Sequence, residues 1–191
     1  MLNILVICVG KLKEKFYTDA ANEYIKRLSG HCKLDIHEIP EYRLSTGSAG
    51  QGKAGSSESS NNYTVSHRRS DAAAENTQRL NSQNIIALDK ERAAIEAKIP
   101  AGTVIIALCV EGRDMDSQGL AGFLADCGIR GASRLCFIIG GSFGLHEDLK
   151  SKADIKLSMS KMTFPHNLAR VMLLEQLYRA FKITEGGKYH K

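Results

Sequence analysis

Residues 134–191 read RLCFIIGGSFGLHEDLKSKADIKLSMSKMTFPHNLARVMLLEQLYRAFKITEGGKYHK, and the way apolar runs there stop abruptly decides the fold. Leu135 to Ile139 is a continuous apolar run that ends at Gly140-Gly141, and Ile155 to Met159 is a second, shorter one. Short runs of this kind, bounded by turn signals, predict strands buried on both faces, as in a parallel sheet. A polar hairpin-like loop follows over Ser160 to Phe164, and Pro165 suits the first turn of a helix. Leu168, Val171, Met172, Glu175, Tyr178 and Arg179 then recur at helical spacing until Gly186-Gly187, and the apolar members read as ordinary core. Two strand ends that run straight into loops make a ligand cradle in an open α/β sheet.

The rest of the chain repeats the pattern. Leu2 to Val9 is another buried strand, Glu14 to Leu28 a helix with one apolar face, and Leu34 to Ile39 a strand stopped by Pro40. Further on, Leu88 to Ile99 is predicted helical and Thr103 to Val110 a strand; Ser117 caps a helix over Gln118 to Cys127. Strands alternating with helices predict an α/β fold, a mostly parallel sheet flanked by helices, in one domain spanning 1–191. One stretch breaks the rhythm. From about 45 to 83 the chain turns to Gly, Ser, Asn and Ala, which bury too little surface to offset ordering entropy, so a flexible low-complexity insertion is expected.

Composition narrows the function. The net charge is +5, and from residue 151 onward eight Lys or Arg face three acidic residues, so the whole excess sits beside the proposed cradle. That fits a polyanionic partner such as RNA or DNA, or a solvated helix face. The five cysteines form no CxxC pair, which supports neither a zinc site nor a redox motif. Cys8, Cys109 and Cys136 lie in apolar runs and are expected to be buried thiols. No apolar run reaches eighteen residues, and the opening apolar stretch precedes its positive charges, the reverse of a secretory signal. No membrane partner is expected, and a cytoplasmic location is.

Gly140-Gly141-Ser142-Phe143-Gly144 is neither a GxGxxG fingerprint nor a P-loop, and it follows a late strand rather than the first. With the end of the Thr103–Val110 strand and with Met159 to Phe164, it makes three loops at one sheet edge, enough for an adenosine-sized ligand. His146 and His166 read first as helix-start hydrogen-bonding residues. Arg170, one turn into the last helix, could reach a phosphate or a carboxylate.

IIGGSFGL, LSMSKMTFPHNLARVMLLEQLYRAFKI, the terminal YHK and the opening ILVICVGKLK resemble the RlmH (YbeA-like) family of SPOUT-class RNA methyltransferases. The resemblance covers nearly the whole chain outside 45–83. It implies an α/β domain with a C-terminal trefoil knot, a homodimer, and S-adenosyl-L-methionine as cofactor. It also implies methyl transfer to N3 of a pseudouridine in the helix 69 loop of 23S rRNA in the assembled ribosome. Carried over residue by residue, the cofactor contacts would be Leu108, Gly140, Met159, Ser160, Lys161, Met162, Thr163 and Phe164. Arg170, Tyr189 and His190 would face RNA, with His190 the candidate base or base-orienting group and Arg170 a stabiliser of the developing ring anion. No metal is implied, because a sulfonium is already an activated electrophile.

Overall fold

The apolar runs fold as the strands they predict. β1 (Leu2–Val9), β2 (Cys32–Ile39), β3 (Val104–Asp114), β4 (Arg134–Ile139) and β5 (Ile155–Ser158) form one sheet in the order β2-β1-β4-β3-β5, every pair parallel. The helices are α1 (Lys15–Leu28), α2 (82–96), α3 (Ser117–Ile129), α4 (Glu147–Lys152) and α5 (His166–Thr184). The computed structural model describes residues 1–42 and 82–186. Most of the expected insertion, and the tail residues Tyr189 and His190, lie outside the described residues; residues 82 and 83, assigned to that insertion, are helical and belong to α2.

Successive strand side chains point to opposite faces, so a strand covered on both sides must be apolar at every position. β1 shows this directly. Ile4, Val6 and Cys8 pack with Leu28 of α1, Leu124 of α3 and Leu174 of α5, while Leu5, Ile7 and Val9 pack with Ile95 of α2 and Leu149 of α4. The sheet is thus sandwiched between two helical layers.

Three local expectations are corrected. The cap of α3 is Asp116, whose carboxylate accepts from the Gly119 N–H at 2.7 Å, whereas Ser117 starts the helix and donates its hydroxyl to Gln176 on α5 at 2.7 Å. α2 is helical from 82 rather than from Leu88 and ends at 96, short of Ile99. The fully buried face of α5 carries Arg170, Leu173, Leu174, Leu177 and Ala180; Leu168 and Met172 are only half-buried, whereas Val171, also half-buried, packs against the core as expected. Apolar residues occur nearly all round this helix, so periodicity alone does not set its phase. Among the described residues no helix is long and apolar enough to cross a membrane.

Candidate functional site

Three strands end at one edge, and each exit is shaped by a different local device. β4 leaves through a turn that has no room for a side chain at Gly140. A Cβ on Gly140 would lie 2.3 Å from the Gly144 carbonyl oxygen and 2.9 Å from the Leu145 nitrogen, both backbone atoms that cannot swing aside. Gly144 has φ +78° and donates its N–H to the Gly141 oxygen at 3.1 Å. Glu41 holds the turn from outside by accepting from the Ser142 hydroxyl. His146 then caps α4, its Nδ1 accepting from the Asp148 N–H at 3.0 Å, as its position at a helix start suggests.

β3 exits through a break in register. It pairs with β5 as far as Leu108 opposite Leu157, then resumes with Arg113 opposite the same Leu157. Residues 109–112 are therefore pushed out of the ladder. Gly112 permits this, since a Cβ there would sit 2.7 Å from the Leu157 carbonyl carbon. The displaced segment brings Cys109, Val110 and Glu111 to the cleft.

β5 passes into the 159–164 loop, which is folded on its own hydroxyls. Ser158 Oγ donates to the Ser160 carbonyl at 3.0 Å, and the Met162 N–H donates to Ser160 Oγ at 3.0 Å. The three exits enclose one cleft of about 990 Å³. Leu108, Gly140, Met159, Ser160, Met162, Thr163 and Phe164 all line it, so the structure brings together seven of the residues singled out from sequence. Lys161 is not among them. Its ammonium pairs with Asp114 at 3.1 Å and lines a separate hollow.

Arg170 is not brought to the cleft either. Its side chain is 3% exposed; Nη1 donates to Glu38 at 2.6 Å and Nη2 to the Gly10 carbonyl at 2.8 Å. It straps the first turns of α5 to the ends of β1 and β2. The guanidinium thus reaches a carboxylate, one of the two partners its position allowed, and within this chain it does not line the cleft.

Charge in the cleft comes from residues that sequence patterning passed over. Lys150 of α4, 12% exposed, bonds Glu111 from the displaced segment and Glu147 from its own helix, both at 2.5 Å. The Lys150 hydrogen bond holds the Glu111 carboxyl below the usual glutamate range, helped by a backbone N–H. Glu111 is therefore an anion across neutral pH. Ile85 and Leu88 of α2 add an apolar wall, and His166 stands at the mouth. Spacing could not have found Lys150 and Glu111, because they meet across 39 residues. Cys109 corrects an expectation as well. It is half-exposed, because the strand has left the ladder by that point, whereas burial pushes the Cys8 thiol to about 11 and Cys136 to about 12.

An apolar cleft with a carboxylate and an ammonium at one side suits a ligand that is partly apolar and partly charged. Residues 2–190 match the sequence profile of a family described as "Predicted SPOUT methyltransferase". The "Ribosomal RNA large subunit methyltransferase H" of Clostridium botulinum (strain Eklund 17B / Type B) is 41% identical over 190 residues, covering all of both chains. The protein of the same name from Clostridioides difficile (strain 630) is 38% identical over the same span, again covering all of both chains. Among solved structures, the SpoU methyltransferase AviRb from Streptomyces viridochromogenes, in complex with the cofactor AdoMet, is 10% identical with a TM-score of 0.40. That match covers 98% of this chain and 60% of that one.

Proposed function

Since the chain belongs to the SPOUT methyltransferase family, we propose that it methylates RNA of the large ribosomal subunit, at N3 of a pseudouridine in the helix 69 loop of 23S rRNA. The observation that carries this reading is the single cleft in which Leu108, Gly140 and most of the 159–164 loop converge. S-adenosyl-L-methionine fits the lining there: apolar walls for the base and the half-exposed Glu111 for hydroxyl or ammonium groups, with Lys150 holding Glu111 in place. When bound, it would supply an electrophilic methyl carbon on a sulfonium.

The chain's own residues have three tasks. The glycine turn and the displaced 109–112 segment fix the cleft's shape, so that donor and acceptor meet with little reorganisation. Leu88, Leu157 and Phe164 line the cleft with apolar side chains that would keep water from a bound donor. A base must take the N3 proton of the uracil-type ring, worth ~100- to 10,000-fold in rate. His190 is the proposed group, acting as base or base-orienting residue, with Tyr189 stacking on RNA beside it.

A homodimer accompanies this reading, supported by large apolar side chains at the cleft rim: Val110, Phe143 and Met162 are 44%, 51% and 70% exposed. Equilibrium sedimentation should give twice the chain mass.

The test is transfer of labelled methyl from S-adenosyl-L-methionine to ribosomes that lack the modification, followed by mapping of the label. Label on N3 of the helix 69 pseudouridine is expected. Label on another nucleotide keeps the enzyme class and rejects the substrate. Ribosome binding without any label would make this an RNA-binding protein that keeps the fold without the reaction.

A further inference from the structure

A second hollow, of about 580 Å³, shares the wall formed by Met159 and Ser160 with the cleft. We infer that it receives the RNA strand beside the target nucleotide, with one backbone phosphate seated on the Arg113 guanidinium. The inference rests on the rRNA reading above and assigns the site where the strand is gripped.

The charges in the hollow decide the ligand class. Four ionisable side chains line it: Arg113, Asp114, Asp116 and Lys161. Asp114 and Lys161 neutralise each other at 3.1 Å. Asp116 is spent on the α3 N-terminus, accepting from Gly119 at 2.7 Å. The four formal charges cancel, because an Asp116 carboxylate that accepts a hydrogen bond remains an anion; Arg113, exposed, is the cation of this lining that makes no ion pair among the described residues. A planar guanidinium with a free fork is matched to a phosphate. Carboxylates already committed to other donors do not repel it strongly.

Position gives the second line of support. The register break on β3 sends Glu111 to the cofactor cleft and returns Arg113 to the ladder opposite Leu157, on the side of the second hollow. Only Gly112 lies between a group for the cofactor and a group for the strand. A methyl acceptor must lie within about 3.5 Å of the donor carbon. Because Met159 and Ser160 line both spaces, a strand gripped in the hollow would lie next to the cleft that holds the donor.

The probe is a fluorescein-labelled single-stranded RNA with the helix 69 loop sequence, titrated with the full-length protein at several salt concentrations. Arg113→Ala should weaken binding about tenfold, since hydrogen bonds to charged groups are the stronger class. It should also lower the slope of log affinity against log salt by roughly 0.7, the share of one single-strand phosphate contact. Arg113→Glu should weaken binding further, and Arg113→Lys should restore the slope but only part of the affinity. Cofactor affinity, measured by calorimetry, should match wild type in all three. Unchanged RNA affinity and slope in Arg113→Glu would overturn the inference while leaving the methyltransferase reading intact. Absence of methyl transfer by wild type, with the Arg113 effects present, would reject the reaction and keep the strand site. A wild-type protein that binds neither the oligonucleotide nor ribosomes would remove both.

Discussion

The two outer strands of the sheet both alternate apolar with polar residues and end differently. β2 runs beside β1 in unbroken register for eight residues, Leu2 opposite Cys32 through Val9 opposite Ile39. β5 runs beside β3 for three residues before the partner strand is thrown out of the ladder and re-enters four residues late. The regular ladder carries core side chains on both faces; the broken one carries Cys109, Val110 and Glu111 into a cleft. Regularity maximises burial and backbone pairing, and irregularity re-aims side chains at a ligand. One sheet thus divides its labour between an edge that stabilises and an edge that binds.

The sharpest way to break that division is to damage each part and read both stability and cofactor affinity. Ile7 is fully buried in the regular half, and Ile7→Ala should cost about 2–5 kcal/mol of stability by denaturant titration. Its cofactor affinity, measured at a temperature where the variant is folded, should stay near wild type. Gly140→Ala forces a methyl against the Gly144 carbonyl at 2.3 Å and should cost about 1–3 kcal/mol. Unlike Ile7→Ala, it should abolish detectable cofactor binding by calorimetry, because the displaced backbone is the cleft wall. If both variants lose affinity in proportion to stability, the two halves are not separable.

Arg170 tests the junction. Removing a buried guanidinium that serves Glu38 and the Gly10 carbonyl should destabilise by about 3 kcal/mol, and Arg170→Lys should rescue little because one ammonium cannot reproduce the fork. The variant should bind RNA like wild type under conditions where it remains folded. Loss of RNA affinity at full folding would return Arg170 to the RNA-facing role that its resemblance implied.

The division also explains what was legible in the sequence. β1, β4 and most of β3 could be read because burial on both faces imposes apolar residues without gaps. The glycine turn could be read because Gly140 and Gly144 answer steric demands made within four residues of themselves. The phase of α5 cannot be read from an all-round apolar helix, so the sequence leaves Arg170 open to a phosphate or a carboxylate, and the fold gives it the carboxylate of Glu38. The register break left no trace in VIIALCVEGRD, where Cys109 and Val110 continue an apolar run and only Gly112 marks the place where two backbones meet. The pairing of Glu111, at the strand end, with Lys150 is invisible for a simpler reason. It is made by the tertiary fold and by no local pattern.

The smallest expected effect bears on that pair. Lys150 ties the displaced segment of β3 to α4 through Glu111, and Glu111 is half-exposed, so the pair should contribute less than about 1 kcal/mol. Its signature should therefore be local. Glu111→Gln should leave the denaturation midpoint nearly unchanged while speeding hydrogen exchange at residues 109–112, with no such change along β1 and β2. The pH dependence has a definite sign. The folded-state pKa of Glu111 is lowered, chiefly by the Lys150 hydrogen bond, so its stabilising effect is complete above the ordinary glutamate range and disappears as pH falls through the lowered value. Wild-type exchange at 109–112 should thus stay slow at neutral pH and quicken in acid, after allowance for intrinsic exchange chemistry, whereas Glu111→Gln should be fast throughout. Equal protection of 109–112 in both proteins at neutral pH would mean that Gly112 and the backbone of Leu157 alone hold the irregular edge. The ion pair would then be free to serve the ligand.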